Sequence, residues 1–232
     1  MKLIIYCVAF ITATGSILSQ TTFSFGPLLA PKIGLNLSPQ PNYLLEDSLL
    51  GSRYVKVEGQ TSYDLDFGIS LKMYLEHLKT TLFFDGSYTT TSNSYTLTDD
   101  NGELQDYTTK VHYLTISPNY TTNWIFFGLT LGLPISASTT NTSGSFSSDA
   151  ENTDDLRMKA DLKFGCLFPI VKSSLGELDL LLTGGLMIPP LFMDDPLPSQ
   201  KYVVLEYDQN YSPRIFSFSV GLTYYFNILT VD

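Results

Sequence analysis

A period of two runs through this chain from about residue 21 to its end. Between residues 61 and 75, Tyr63, Leu65, Phe67, Ile69, Leu71, Met73 and Leu75 alternate with Asp64, Asp66, Gly68, Ser70, Lys72 and Tyr74. Only an extended strand puts alternate residues on opposite faces, so the pattern specifies β-structure and excludes an amphipathic helix. The apolar face is also long. Strands of soluble domains average five or six residues, whereas a membrane-crossing strand needs about 9–11. The second face carries charge deep within the run, so it cannot pack a dry core.

Eight such segments are predicted, near 27–38, 61–75, 78–90, 107–121, 124–137, 156–170, 177–189 and around 216–226. In the fourth, the phase falters around His112, which predicts a bulge. The fifth sets Ile125, Phe127, Leu129, Leu131, Leu133 and Ile135 against Gly128, Thr130, Gly132 and Ser136. The sixth sets Leu156, Met158, Ala160, Leu162, Phe164, Cys166, Phe168 and Ile170 against Arg157, Lys159, Asp161, Lys163 and Gly165. Connections alternate between short (Glu76-His77, 121–123, 171–176) and long (39–60, 91–106, 138–155, 190–210). That is the plan of a closed antiparallel up-and-down transmembrane β-barrel, with tight turns at one rim and long loops at the other. Eight strands put both termini on the turn side. Ten strands are the alternative, because Tyr202 to Tyr207 reads as strand-like. A soluble β-sandwich or lipocalin-like barrel is the competing architecture.

Composition agrees with a partly lipid-facing surface. Charged residues make up 16% of the 232, below the usual quarter, while Tyr and Phe number 15 each. The net charge of -10 and the lack of a Lys/Arg run exclude a nucleic-acid footprint. Residues 1–19 read as a secretory signal peptide: Lys2, an apolar stretch from Leu3 to Ile11, then small residues up to Ser19. The barrel domain is then 20–232. Cys7 falls in the leader and Cys166 stands alone, so neither a disulfide nor a zinc site is expected.

The last strand, "FSFSVGLTYYF" from Phe216 to Phe226, ends on aromatics at alternate positions. With Gly221, Tyr224 and Phe226 it resembles the C-terminal insertion signal of bacterial outer-membrane barrels, although Asn227 to Asp232 follow it. Over residues 21–232 the chain is similar to the small, porin-like outer-membrane β-barrel families of Bacteroidota, whose leaders also end in "LSQ". The resemblance implies insertion by the barrel-assembly machinery, a bacterial outer-membrane location with both termini periplasmic, and in some relatives service to secretion or gliding.

Catalytic signals are weak. His77 lies in a predicted turn and His112 lacks a serine at hydrolase spacing, so no enzyme is expected. Asp64, Asp66, Lys72, Asp85, Arg157, Lys159, Asp161 and Lys163 project from the inner face and form a predicted lumen charge cluster. Asp64 and Asp66 are expected to meet Arg157 and Lys159, since an unpaired buried charge is costly. The outer loops hold most of the acidic residues. Asp99, Asp100, Glu103 and Asp106 in the second, and Asp149, Glu151, Asp154 and Asp155 in the third, suggest loose calcium or magnesium binding without a calcium-loop spacing. No other cofactor is expected. The predicted protein is a monomeric outer-membrane barrel with a side-chain-filled lumen and a structural or surface-interaction role. A small porin, or an accessory barrel of a secretion or gliding machinery, is the alternative. Its partners are membrane lipid and the assembly machinery; no protein partner is readable.

Overall fold

The computed structural model describes residues 21–37, 42–47, 51–98, 104–141, 147–149, 156, 158–188, 204–205 and 214–231. The predicted leader lies outside them. Twelve strands are described: β1 (Thr21–Asn36), β2 (Asn42–Asp47), β3 (Gly51–Gln60), β4 (Ser62–Leu75), β5 (Thr80–Thr98), β6 (Leu104–Thr122), β7 (Ile125–Asn141), β8 (Ser147–Asp149), β9 (Lys159–Lys172), β10 (Gly176–Met187), β11 (Val204–Leu205) and β12 (Ile215–Val231).

Eight of them close a barrel in which every pairing is antiparallel. The order is β1, β4, β5, β6, β7, β9, β10, β12 and back to β1. The other four lie outside the ring: β3 pairs the loop-side part of β5, β2 pairs β3, β11 pairs β2, and β8 pairs β7. The strand-like stretch near Tyr202 is therefore β11, an accessory to the loop-side sheet, and the barrel count is eight. The link between the third and fourth barrel strands also shortens. Pairing runs from Thr80↔Thr122 up to Thr98↔Leu104, so most of the expected long loop is a hairpin standing above the barrel.

The stagger of the barrel can be followed pair by pair. Ser24 pairs with Lys72, then the path runs through Phe83, Asn119, Gly128, Lys163, Gly185 and Ser217 to Gly34. One circuit thus returns ten residues along β1. With eight strands that shear sets a tilt of about 40°. On β7 the outward face is apolar from Ile125 to Ile135. At about 3.3 Å per residue and this tilt, that run covers about 25 Å, the height of a lipid-facing band.

Burial is inverted relative to a soluble domain. Ile69, Ile116 and Phe127 are 66%, 62% and 58% exposed, while Asp85 and Lys159 are 2% and 5% exposed. The outside is an apolar belt and the inside is polar, which makes this a transmembrane barrel and rules out the soluble alternatives. The short turns sit beside the chain ends, because Thr21 pairs with both Leu75 and Val231. Lys79 (φ 50°) and Asn123 (φ 57°) take the left-handed conformation that two of these tight reversals need. At the same rim Trp124 stacks on Phe168, with ring centroids 5.8 Å apart; indole at a rim is a membrane-interface anchor. The pairing of β6 with β7 shifts register between His112 and Tyr113, where the alternation falters.

Leu162 lies on the lipid face and Thr130 on the lumen face. Leu162→Arg should destabilise the folded barrel by about 2–4 kcal/mol if it lies near mid-depth. Equilibrium urea unfolding in lipid vesicles reads this directly; no loss at Leu162 would reverse the face assignment.

Candidate functional site

The only enclosed chemistry among the described residues is in the lumen, built from the inward positions of all eight barrel strands. Its charges are paired. Lys72 on β4 reaches Asp179 on β10 at 2.6 Å and Glu177 at 3.2 Å, and lies 4.9 Å from the centre of the Tyr225 ring. Lys163 on β9 reaches Asp85 on β5 at 2.9 Å. Asp85 also accepts from Ser70 Oγ at 2.6 Å and Asn119 Nδ2 at 3.2 Å, and Ser70 Oγ meets the Tyr225 hydroxyl at 2.8 Å. Lys32 on β1 binds Asp66 on β4 at 2.6 Å, and Lys159 binds Asp161 at 3.1 Å and donates to Thr91 at 2.8 Å.

This differs from the expected set of contacts. Asp66 is neutralised by Lys32 of the adjacent strand and does not meet Lys159. Asp64 accepts from the backbone N–H of Ser92 at 2.9 Å and from its hydroxyl. Lys32 finds its partner on the adjacent strand and Lys159 on its own, whereas Lys72–Asp179 and Lys163–Asp85 cross the lumen between strands three apart in the ring. Arg157 lies outside the described residues.

Lys32, Glu177 and Asp179 are lumen residues that the sequence reading missed. Lys32 is hidden on β1 among small inward residues (Ala30, Gly34). Asp179 is hidden in "ELDLLLTGGL", where leucines fall on both faces. Strict parity counted from Leu178 would have turned Glu177 and Asp179 inward.

Apolar side chains close the lumen at two levels. Toward the turn side, Phe83, Phe126, Leu167 and Leu181 form a buried cluster, with the two rings edge to face at 5.2 Å. Gly165, paired with Phe126, makes room for it: a Cβ there would lie 2.8 Å from the ring and 2.0 Å from the Leu182 carbonyl oxygen. Toward the loop side, Val111, Tyr113, Ala137, Leu156 and Met187 form a second cluster. Lys159 Nζ lies 5.6 Å from the centre of the Tyr113 ring.

Between the two levels is a polar chamber of about 50 Å³, lined by Lys32, Lys159, Lys163, Asp66, Asp85 and Asp161, together with serine and threonine hydroxyls. That volume admits a few water molecules and nothing larger. Below the phenylalanine layer, a vestibule of about 320 Å³ opens at the turn side, with Lys72, Glu177 and Asp179 in its wall.

Other predicted site residues fall elsewhere. Gly221 points into the barrel and is buried, whereas Phe226 faces outward and Tyr224 shares its side, the two rings 4.8 Å apart. His112 is on the outer face near the loop side, stacked on Tyr88 and 3.1 Å from Thr90 Oγ1, with no nucleophile–base–orienter arrangement. Asp106 joins Gln60 and Thr96 in a polar cluster on the loop-side hairpin. Asp149 ends β8. Asp99, Asp100, Glu103, Glu151, Asp154 and Asp155 lie outside the described residues. Among those described, no three or more His, Cys, Asp or Glu side chains group as metal ligands would.

No protein-family model matches this chain, and no curated protein matches it significantly in sequence. Solved structures of similar shape include Ail, the attachment invasion locus protein of Yersinia pestis (13% identity, covering 89% of this chain and 98% of Ail, TM-score 0.34). Another is Neisserial surface protein A (11%, 85% and 96%, 0.35). A third is the outer membrane protein OprG of Pseudomonas aeruginosa (10%, 91% and 100%, 0.36). At such identities and scores the likeness is one of shape, and the barrel assignment rests on the strand pairings.

Asp85→Ala should strand Lys163 in the lumen and cost about 3–5 kcal/mol of stability, because a buried charge loses its partner. Asp85→Asn combined with Lys163→Met removes both charges and should cost clearly less. Urea unfolding of the single and double variants checks this; a double variant as unstable as Asp85→Ala would mean that the ion pair is not what matters there.

Proposed function

We propose that this chain is an integral outer-membrane β-barrel protein with a plugged lumen, acting as a structural or surface-interaction component, not as an open channel or an enzyme. The carrying observation is the layer of Phe83, Phe126, Leu167 and Leu181 across the lumen. An apolar constriction of this kind excludes hydrated ions, and the chamber above it is neutral by pairing of its three lysines with three aspartates. What remains for recognition is the loop-side sheet formed by β2, β3, β8 and the β5–β6 hairpin. The leader over residues 1–19, the lipid-facing belt and the aromatic end of β12 support the outer membrane as the destination. The turn rim, with both chain ends, is then periplasmic.

Three measurements test this reading. Fractionation should recover the protein in the outer membrane and only with detergent. A cysteine placed at Ser174, in a turn, should resist a charged maleimide on intact cells. In planar bilayers the wild type should show no steady conductance, whereas Phe83→Ala with Phe126→Ala should admit ions by joining vestibule and chamber. A large, stable ohmic pore in the wild type would put the porin reading first.

A further inference from the structure

We propose that the β1–β12 seam is a built-in line of lateral opening, where the wall parts at mid-depth and joins the polar chamber to the surrounding bilayer. The proposal rests on the transmembrane reading above.

The seam is discontinuous. β1 pairs with β4 without a break from Thr21 to Gly34. Its pairing with β12 runs through Phe25↔Phe226, resumes at Leu28↔Thr223 and Leu29↔Leu222, and resumes again at Lys32↔Ser219. The register is the same on both sides of each gap, so neither is a bulge. The unpaired stretches are Gly26-Pro27 and Ala30-Pro31. Proline has no N–H, and because the β4 side is intact, both missing donors belong to the β12 ladder. The carbonyls opposite them, at Tyr224 and Val220, lose their partners in the part of the wall where water cannot replace them. At Pro27 the backbone compensates by close approach: a Cβ on Gly26 would lie 1.8 Å from the Tyr224 carbonyl oxygen, so only a glycine Cα–H can sit there. Pro118 makes one comparable gap between β6 and β7. Among the described barrel pairings, β1–β12 is the only one with two.

Side chains bridge the seam on the turn side of the second gap only, through Tyr225 to Ser70 and through Lys72 to Asp179. The charge on β1, Lys32, is tied to β4 through Asp66. At the first gap Tyr225 of β12 lies opposite Gly26 and reaches across β1 to Ser70 of β4 at 2.8 Å, whereas at the second gap the lumen face is small, with Ala30 opposite Gly221 and Ser219 near by. The seam is also pinned at its two ends. Ser24 Oγ donates to Asn227 Oδ1 at 3.0 Å, and Leu37 N–H donates to the Arg214 carbonyl at 2.8 Å. Between the Tyr225 bridge and the loop-side end the interruption at Ala30-Pro31 has no such tie, and the ladder opens there as a slit. Leu28, Ala30, Lys32, Ser217 and Ser219 line the chamber directly behind it.

Amide hydrogen exchange along β12 has an internal control. The amides of Val220, Leu222 and Tyr224 face β1, and those of Gly221, Thr223 and Tyr225 face the unbroken β10 ladder. In detergent-folded wild type the first set should exchange roughly tenfold faster or more. Pro27→Ala with Pro31→Ala should abolish the difference by restoring two donors. Equal protection of the two sets in wild type would overturn the proposal, even if the double variant failed to fold.

Lateral access is read separately, with Ser219→Cys in a Cys7→Ser, Cys166→Ser background in vesicles. A membrane-partitioned maleimide should label Cys at 219, and the alanine pair should suppress the labelling. A charged, water-soluble maleimide should not react. No reaction with the lipid-phase reagent would overturn lateral opening. Rapid reaction with the charged reagent would instead break the plugged-lumen reading, so the two failures are distinguishable.

Discussion

Hydrocarbon offers no partner to a peptide N–H or C=O, and the whole architecture follows from that constraint. A sheet surrounded by lipid has to close on itself, so the first strand must meet the last. Eight tilted strands with a ten-residue stagger achieve this, and the circuit from Ser24 to Gly34 is its geometric record. Closure also inverts the burial pattern. Isoleucine, leucine and phenylalanine go outward to lipid, while serine, threonine and charge go inward, because the narrow interior is the only place where polar groups can find partners.

The interior answers with short-range electrostatics. Lys32 and Lys159 have a carboxylate on the adjacent or the same strand, Lys72 and Lys163 reach one across the lumen, and Asp85 gathers three donors at one point. Such pairs do little net stabilising work once desolvation is counted, yet each becomes costly when half of it is removed. The two apolar layers have a different role. They separate the charged chamber from both rims, so that the pairs of Lys32, Lys159 and Lys163 sit in a compartment with room for only a few waters, while the Lys72 group faces the turn-side vestibule.

The alternation made the strands and their lipid faces legible, because lipid demands an uninterrupted apolar face and β4, β7 and β9 supply one. The lumen lysines of β9 and the inward aspartates of β4 could be read for the same reason. The apolar plug could not. Phe83 and Phe126 sit in Phe-Phe doublets with Phe84 and Phe127, and Leu167 and Leu181 sit beside Phe168 and Leu182. In each doublet one member faces lipid and satisfies the pattern, so its neighbour's inward apolarity leaves no trace in the period. Pairing across the barrel was also misjudged, because height along a tilted strand depends on the stagger, and the stagger appears only in the register. Strand ends were underestimated on the loop side, where β5 and β6 continue above the lipid on mixed polar residues with no outer apolar face to mark them.

The two prolines of β1 carry a consequence for the chain before it becomes a barrel. Until β12 arrives, the side of β1 that will receive it is a free edge, and a free edge of a β-sheet is a template for any other strand in solution. Pro27 and Pro31 remove two donors from that edge while leaving the β4 side complete. Any strand laid along it finds gaps at both positions. The same residues that loosen the finished seam thus blunt the unfinished edge against aggregation.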